Sequence, residues 1–433
     1  MDSETPAALR LTALAARRAS RALQALPSSE RAAILLRLAD GLVANEAAIL
    51  AANAADVAAA EAACVAPALL ARLQLSSAKL AQLAAGARAI AALPEPLGRP
   101  LSRLQVAQGL ELTKVAAPLG VLLVVFEARP DALPQIASLA IRAGDGLLLK
   151  GGKEASRSCA ALHAVVAAAV AGAPGMAEAP GLVAMVTSRG AIDDLLQLDD
   201  VIDLVIPRGS NALVSHIKAN TRIPVLGHAD GVCHVFVDAA SDAAMAARVV
   251  VDSKVDYPAA CNAMETLLLH EALVGDGRAE ALLEALRAKG VALLGGPVAA
   301  AALGLPPAAD LHAEYSALTA CVEIVRDTAA AVAHIHSHGS GHTECIVTAD
   351  PAAADLFLTT VDAACVFHNA STRFADGFRF GLGAEVGVAT GRLHARGPVG
   401  LEGLLTSRWL LRGEGQVVAK DTGVTYTHVP LPV

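Results

Sequence analysis

Cys261 is the residue whose surroundings most suggest chemistry. It sits in Lys254-Val-Asp-Tyr-Pro-Ala-Ala-Cys-Asn262, between a helical pattern and the strand-like Met264-Glu-Thr-Leu-Leu-Leu269. Pro258 forces a break there, so the thiol is predicted in a loop with free backbone N–H groups. A thiol so placed ionises more easily and attacks acyl carbon, while the same N–H groups hold the oxyanion. The competing reading is a small buried apolar residue, which is how most free cysteines behave. Leu147-Leu-Leu-Lys-Gly-Gly-Lys153 sets Lys150, Gly152 and Lys153 where a strand runs into a helix, and Ile206-Pro-Arg-Gly-Ser-Asn211 sets Arg208, Gly209 and Ser210 likewise. Such turns at the carboxyl ends of parallel strands bind nucleotide phosphates, and two on one sheet favour a dinucleotide. Neither is GxGxxG or a Walker loop, and a solvated tight turn is the alternative. His334, His336, His338 and His342 invite a zinc reading if 334–338 is a strand. Gly339 and Gly341 break the element and helical phasing would scatter the rings, so no metal is expected. Asn369-Ala-Ser-Thr-Arg373 is rich in donors for an anionic substrate, or is a polar turn; Glu385 and the pair His394/Arg396 are ambiguous in the same way.

These residues need a scaffold. The first ninety residues show helical periodicity, broken at Pro27, Pro67 and Pro94-Glu-Pro96. Residues 101–117, with Gly109, read as a β-hairpin. Strands at 120–126, 147–150, 182–187 and 202–206 alternate with helices at 133–142, 155–171 and 190–197. The rhythm restarts after residue 230 with strands 233–237 and 265–270 and helices 241–252 and 278–288. Alternation of this kind implies parallel sheets covered on both faces, in two α/β domains. The chain from Gly377 on reads as loop, except for edge strands at 416–418 and 424–428 that would pair with the hairpin.

Length and composition set the limits. With 433 residues and roughly 150 per domain, about three domains are expected. Apolar residues make up 55% and charged residues 18%, which excludes a disordered chain. A net charge of −8 argues against nucleic acid or an anionic membrane as partner. No bulky apolar run approaches the roughly 20 residues of a transmembrane helix. Seven cysteines, an odd number without a CxxC pair, suggest free thiols in a reducing compartment. Arg10, Arg17, Arg18 and Arg21 lie on an N-terminal helix that loosely resembles a transit peptide. Asp2 and Glu4 before it favour an ordinary surface helix and a cytoplasmic location.

The motifs taken together resemble the gamma-glutamyl phosphate reductase family. They are Phe126-Glu-Ala-Arg-Pro130, Lys150-Gly-Gly-Lys-Glu154, Ile206-Pro-Arg-Gly209, Cys261-Asn262, Asn369-Ala-Ser-Thr-Arg-Phe374, Phe380-Gly-Leu-Gly-Ala-Glu385 and His394-Ala-Arg-Gly-Pro398. The stretch around Cys261 is most similar to the reductase half of bifunctional delta-1-pyrroline-5-carboxylate synthases, without their kinase half. The resemblance implies an α/β, aldehyde dehydrogenase-like fold: two Rossmann-like domains plus a β oligomerisation arm. It implies an NADP-binding domain at 1–98 and 118–228, a catalytic domain at 229–400, and the arm at 99–117 and 412–433. It implies proline biosynthesis, with NADPH reducing L-glutamyl 5-phosphate to glutamate 5-semialdehyde and phosphate in a homo-oligomer, and a glutamate 5-kinase as a partner that supplies the substrate. Residue by residue, Cys261 matches the nucleophile, Lys150 the lysine at the adenosine ribose, and Glu314 the glutamate at the nicotinamide ribose. Arg129, Arg373 and Arg396 are candidates for the phosphate and carboxylate, because guanidinium grips oxyanions in two-pronged fashion. Two departures stand out. Where hydrolytic aldehyde dehydrogenases carry a water-activating glutamate, this chain has Val225-Leu-Gly-His228. Where they carry an oxyanion asparagine it has Ala128, so the donor must be backbone amide, Asn262 or Arg129. The rivals are another NAD(P)-dependent aldehyde dehydrogenase, which the missing glutamate opposes, and a non-catalytic paralogue, which the intact Cys261, Lys150 and Glu314 oppose.

Overall fold

A computed structural model describes residues 5–65, 67–188, 190–418 and 424–433. The chain divides into two compact units. One holds Met1–Leu226, Leu382–Val386 and Val399–Val433; the other holds Gly227–Gly381 and Gly387–Pro398.

In the first unit, helices Pro6–Ala25, Ser28–Ala44, Glu46–Ala62 and Ser77–Ala92 precede any strand. Thr5 starts the first of them by accepting the N–H of Ala8, with proline at the next position where a missing donor costs nothing. Its small residues have a packing purpose. Leu9, Ala13 and Ala16 lie against Val121, Leu123 and Leu148, and a Cβ on Gly146 would stand 2.6 Å from the Ala16 carbonyl. Helix and sheet therefore meet almost backbone to backbone. The sheet is four-stranded and parallel, in the order Val183–Met185, Gly146–Gly151, Val121–Phe126, Leu204–Arg208. Val121–Phe126 is buried throughout, as an apolar strand covered on both faces must be.

The hairpin expected at 101–117 is present as Pro100–Ala107 and Leu110–Pro118, turning at Gly109 with φ of 70°. Its partners differ from the expectation. Leu405–Arg412 joins one side and Tyr426–Leu431 the other, giving a four-stranded antiparallel sheet, while 416–418 is not strand. The run Leu405-Thr-Ser-Arg-Trp-Leu-Leu-Arg412 was hidden because two of its large apolar residues, Trp409 and Leu411, are exposed.

The second unit is built on a six-stranded parallel sheet in the order Cys365–His368, Thr343–Val347, Cys233–Val237, Met264–His270, Thr319–Val325, Ala292–Gly295. Helices Ala243–Val255 and Arg278–Arg287 cover one face, where Val250, Leu267, Leu269, Leu283 and Leu286 are buried together. Each such aliphatic side chain contributes roughly 1.5–3 kcal/mol. Helix Thr328–His338 and helix Pro351–Thr360 cover the other face around Phe236 and Phe357. His334, His336 and His338 therefore lie on a helix, and the strand-face zinc reading fails on phasing. Among the described residues no helix is long and apolar enough to cross a membrane.

Candidate active site

Three adjacent strands of the second unit run parallel, so the segments that enter them meet at one edge. His342 directly precedes Thr343–Val347, the segment from Gly227 to Val232 leads into Cys233–Val237, and the turn holding Cys261 leads into Met264–His270. Register keeps them level, with Cys233 opposite Met264 and His234 opposite Glu344. Nucleotide crevices usually lie at the carboxyl ends of such strands. This cluster is at the amino ends.

Helix Ala243–Val255 stops short of Pro258, and the turn that follows is closed by Ala260 N–H to the Tyr257 carbonyl at 3.1 Å and Ala263 N–H to the Ala260 carbonyl at 2.9 Å. Cys261 is half-buried there. A sulfur or nitrogen of each of Cys261, His228 and His342 lies within 4.8 Å of the others. The two imidazoles meet edge to face, 4.8 Å between centroids at 86°. Nδ1 of His228 is 2.7 Å from the Val388 carbonyl. A carbonyl only accepts, so Nδ1 carries the proton and Nε2 holds the lone pair when the ring is neutral. His342 is fully buried, with Nδ1 2.9 Å from the Thr343 hydroxyl and Nε2 buried without a hydrogen bond.

Burial alone would raise the Cys261 pKa, but the charges of His342 and then His228 outweigh it and hold the thiol well below the ordinary range. The contrast with other thiols is sharp. Burial pushes Cys159 and Cys345 up to about 12 and Cys321 to about 11, and raises Cys233 well above its usual value. Cys233 thus stays a thiol, and its Sγ donates to the Cys261 carbonyl at 3.2 Å.

Glu314 enters the same arrangement through glycine. Its Oε2 accepts the N–H of Gly231 at 3.1 Å, and a Cβ on Gly231 would lie 2.2 Å from the Cys261 carbonyl oxygen. Next to them, Lys254 and Glu265 form a fully buried ion pair at 2.6 Å. Asn262 is buried and spoken for: Nδ2 donates to the Ala375 carbonyl at 2.8 Å, and Oδ1 accepts from Arg373. Arg373 also donates to Asp256 at 3.0 Å and lies over the Tyr257 ring. The donor-rich run 369–373 is largely a framework. Asn369 bonds the backbone of Thr348 at both ends of its amide, and Ser371 meets Ser253. What it presents is Arg373. Arg396 is anchored on Asp362 at 2.7 Å.

Apart from Glu314, the cofactor candidates lie in the first unit. Lys150 pairs with Val125 and Arg208 with Phe126, so both cations reach the carboxyl edge of the sheet on either side of one strand. Lys150 is buried and its Nζ donates to the Gly151 carbonyl at 2.9 Å, while Arg208 Nε is buried without a hydrogen bond. Lys153 is exposed and Arg129 half-buried. One expectation needs correcting. The Ser210 amide is not free, because it donates to Glu127 at 2.9 Å, and a Cβ on Gly209 or Gly152 would strike Glu127 or Glu154. Ala128, in the left-handed region at φ of 45°, donates its N–H to Glu154 at 2.6 Å. Carboxylates thus lie over both turns. The sequence reading passed over His228 as merely a missing glutamate and His342 as part of a histidine motif; only the strand order joins them to Cys261.

No family model matches the chain. It is 58% identical over 421 residues to delta-1-pyrroline-5-carboxylate synthase A of Arabidopsis thaliana, covering 97% of this chain and 58% of that protein. It therefore spans little more than half the length of such plant relatives. It is 52% identical over 408 residues to gamma-glutamyl phosphate reductase of a Synechococcus strain, covering 94% of this chain and 93% of that one. Among solved structures, gamma-glutamyl phosphate reductase of Thermotoga maritima superposes with a TM-score of 0.89 at 32% identity, over 94% of this chain and 99% of that one. An acetylating aldehyde dehydrogenase of Geobacillus thermoglucosidasius, at 16% identity, covers 95% of this chain and 98% of that one with a TM-score of 0.67. The fold is aldehyde dehydrogenase-like.

Proposed function

From the premise that the chain belongs to the gamma-glutamyl phosphate reductase family, we propose that it reduces L-glutamyl 5-phosphate to L-glutamate 5-semialdehyde, with release of phosphate, in proline biosynthesis. The observation that carries this reading is a half-buried thiol, Cys261, flanked by two imidazoles at the amino ends of three strands.

Cys261 sulfur attacks the acyl carbon, and the C–O bond to phosphate breaks to leave a thioester. The thiolate is stabilised by His342 and His228. Phosphate needs charge stabilisation rather than a proton as it leaves. Arg373, joined to Asn262 beside the nucleophile, is our choice for that role, with Arg396 and Arg129 left for the substrate carboxylate. Backbone amides of the Cys261 turn are the oxyanion donors, since the Asn262 Nδ2 is committed to the Ala375 carbonyl. NADPH, when bound, supplies the hydride that reduces the thioester. Lys150 and Arg208, at the carboxyl ends of the two strands that flank Val121–Phe126, would hold it, and the charge of either suits a ribose carrying a 2′-phosphate. Glu314 would orient the nicotinamide ribose while fixing Gly231.

His228 also bears on what the enzyme avoids. Hydrolytic relatives use a carboxylate at this place to activate water. In this chain the corresponding stretch is Val225-Leu-Gly-His228, which carries an imidazole and no carboxylate. The missing carboxylate favours the reductase reading over an oxidising aldehyde dehydrogenase. The antiparallel sheet, with outer strands Leu405–Arg412 and Tyr426–Leu431, would join copies of the chain into a homo-oligomer. A glutamate 5-kinase would supply the acyl phosphate, in the cytoplasm.

The test is the reverse reaction, phosphate-dependent oxidation of glutamate semialdehyde with NADP+. The parent chain should turn over and Cys261→Ala should not, while retaining NADPH binding. Substantial turnover by the alanine variant, or a covalent glutamyl adduct on another residue, overturns the proposal.

A further inference from the structure

The geometry points to a second use of the Cys261 cluster: we propose that Cys261, His228 and His342 form a site for a soft divalent cation, Zn2+, whose binding blocks the thiol. Three observations carry it. First, the donor atoms lie within 4.8 Å of one another, and no other His, Cys, Asp or Glu group among the described residues meets that condition. Tetrahedral zinc holds thiolate at about 2.3 Å and imidazole at about 2.0–2.1 Å, so its ligands stand roughly 3.3–3.6 Å apart. Side-chain closure by about one ångström completes the site. Second, the outer hydrogen bonds are those of a ligand set. His228 gives its Nδ1 proton to the Val388 carbonyl, which fixes the tautomer that presents Nε2, and metal-bound histidines typically donate their other nitrogen in this way. Third, Nε2 of His342 is a fully buried polar atom with no hydrogen bond. Such an atom calls for a partner, and a cation is one.

Access and selectivity follow from the same residues. Cys261 and His228 are half-exposed while His342 forms the floor, so a cation can enter from solvent and keep water in its fourth position. One thiolate and two imidazoles suit zinc and disfavour magnesium or calcium, which prefer oxygen. The inhibitory consequence rests on the proposed role of Cys261 as nucleophile; the binding itself does not.

The experiment uses the full chain freed of metal with a chelator. Equilibrium dialysis against Zn2+ should show one tight site per chain. Co2+ in its place should give the thiolate-to-metal charge-transfer band and intense visible bands of a tetrahedral site. Cys261→Ser should abolish the charge-transfer band. His228→Ala and His342→Ala, checked for native circular dichroism, should each weaken Zn2+ by about 100-fold or more. Zn2+ should stop semialdehyde oxidation reversibly and protect Cys261 from iodoacetamide. Absence of a tight equivalent, or Zn2+ affinity unchanged in both Cys261→Ser and His228→Ala, overturns the site. Tight binding with the cobalt signature in a chain lacking reductase turnover would uphold the site and instead refute the proposed function.

Discussion

Substituting Gly231 by alanine should disable the protein without touching any group that does chemistry. The added Cβ would stand 2.2 Å from the Cys261 carbonyl oxygen, 2.7 Å from its Cα and 2.8 Å from its carbonyl carbon. Against ordinary van der Waals contact this is an overlap of about 1.2 Å. All three atoms are backbone, so no flexible side-chain end can swing away. Either the Cys261 turn moves or Gly231 does, and the second choice breaks the 3.1 Å bond to Glu314. Displacing a reacting group by about 1 Å costs about 100-fold in rate, or about 2.7 kcal/mol. Semialdehyde oxidation should therefore fall by about that factor in kcat/KM, and iodoacetamide should alkylate Cys261 more slowly. Gly275→Ala is the control, since a Cβ there meets nothing within 4 Å. Gly231→Ala with parent-like turnover and parent-like alkylation would refute the claim that this close approach positions the thiol.

Lys150→Ala should raise the KM for NADPH roughly tenfold, as loss of a charge-assisted contact of about 1.5 kcal/mol would, with kcat little changed; steady-state kinetics with varied cofactor decide it. Lys254→Met should destabilise the fold by about 3–5 kcal/mol, because it strands the buried Glu265 carboxylate, already pushed up to about 7 by burial against the pull of Lys254. Urea unfolding measures this, and the double variant with Glu265→Leu should recover much of the loss. His334 is held at about 3 by burial and by its neighbours His234 and His338, close to Glu344, against 6.5 when unfolded. A depressed histidine contributes stability that is complete above pH 6.5 and is lost as pH falls toward 3. Denaturant midpoints should thus show a loss of about 2 kcal/mol by pH 5, and His334→Gln should lack that component.

The alternation of strands and helices was legible because buried parallel strands are short apolar runs, as in Gly120-Val-Leu-Leu-Val-Val-Phe126. The loop around Cys261 was legible because Pro258 must end a helix. What the sequence could not disclose was which strands are neighbours. The order that seats Thr343–Val347 beside Cys233–Val237 links residues more than a hundred positions apart, and no local pattern reports it. The meeting of His342 and His228 with Cys261 was invisible for that reason. The turns at Gly152 and Gly209 misled in the opposite direction: Glu127, distant in sequence, takes the Ser210 amide, and Glu154 folds back over Gly152 to accept the Ala128 N–H. Strand Leu405–Arg412 escaped because it lies with Trp409 and Leu411 outward, against the usual inward pattern.

Assembly of three strand entrances has a consequence for the life of the chain before it is finished. Cys261 shares no sequence neighbourhood with either imidazole, so a nascent or unfolded polypeptide carries a thiol of ordinary reluctance. Heightened nucleophilicity emerges only when strands from three separate segments have docked side by side. The sulfur is thereby shielded from stray electrophiles during synthesis, and its sudden appetite for an alkylating dye makes a built-in gauge of when the second unit has completed its sheet.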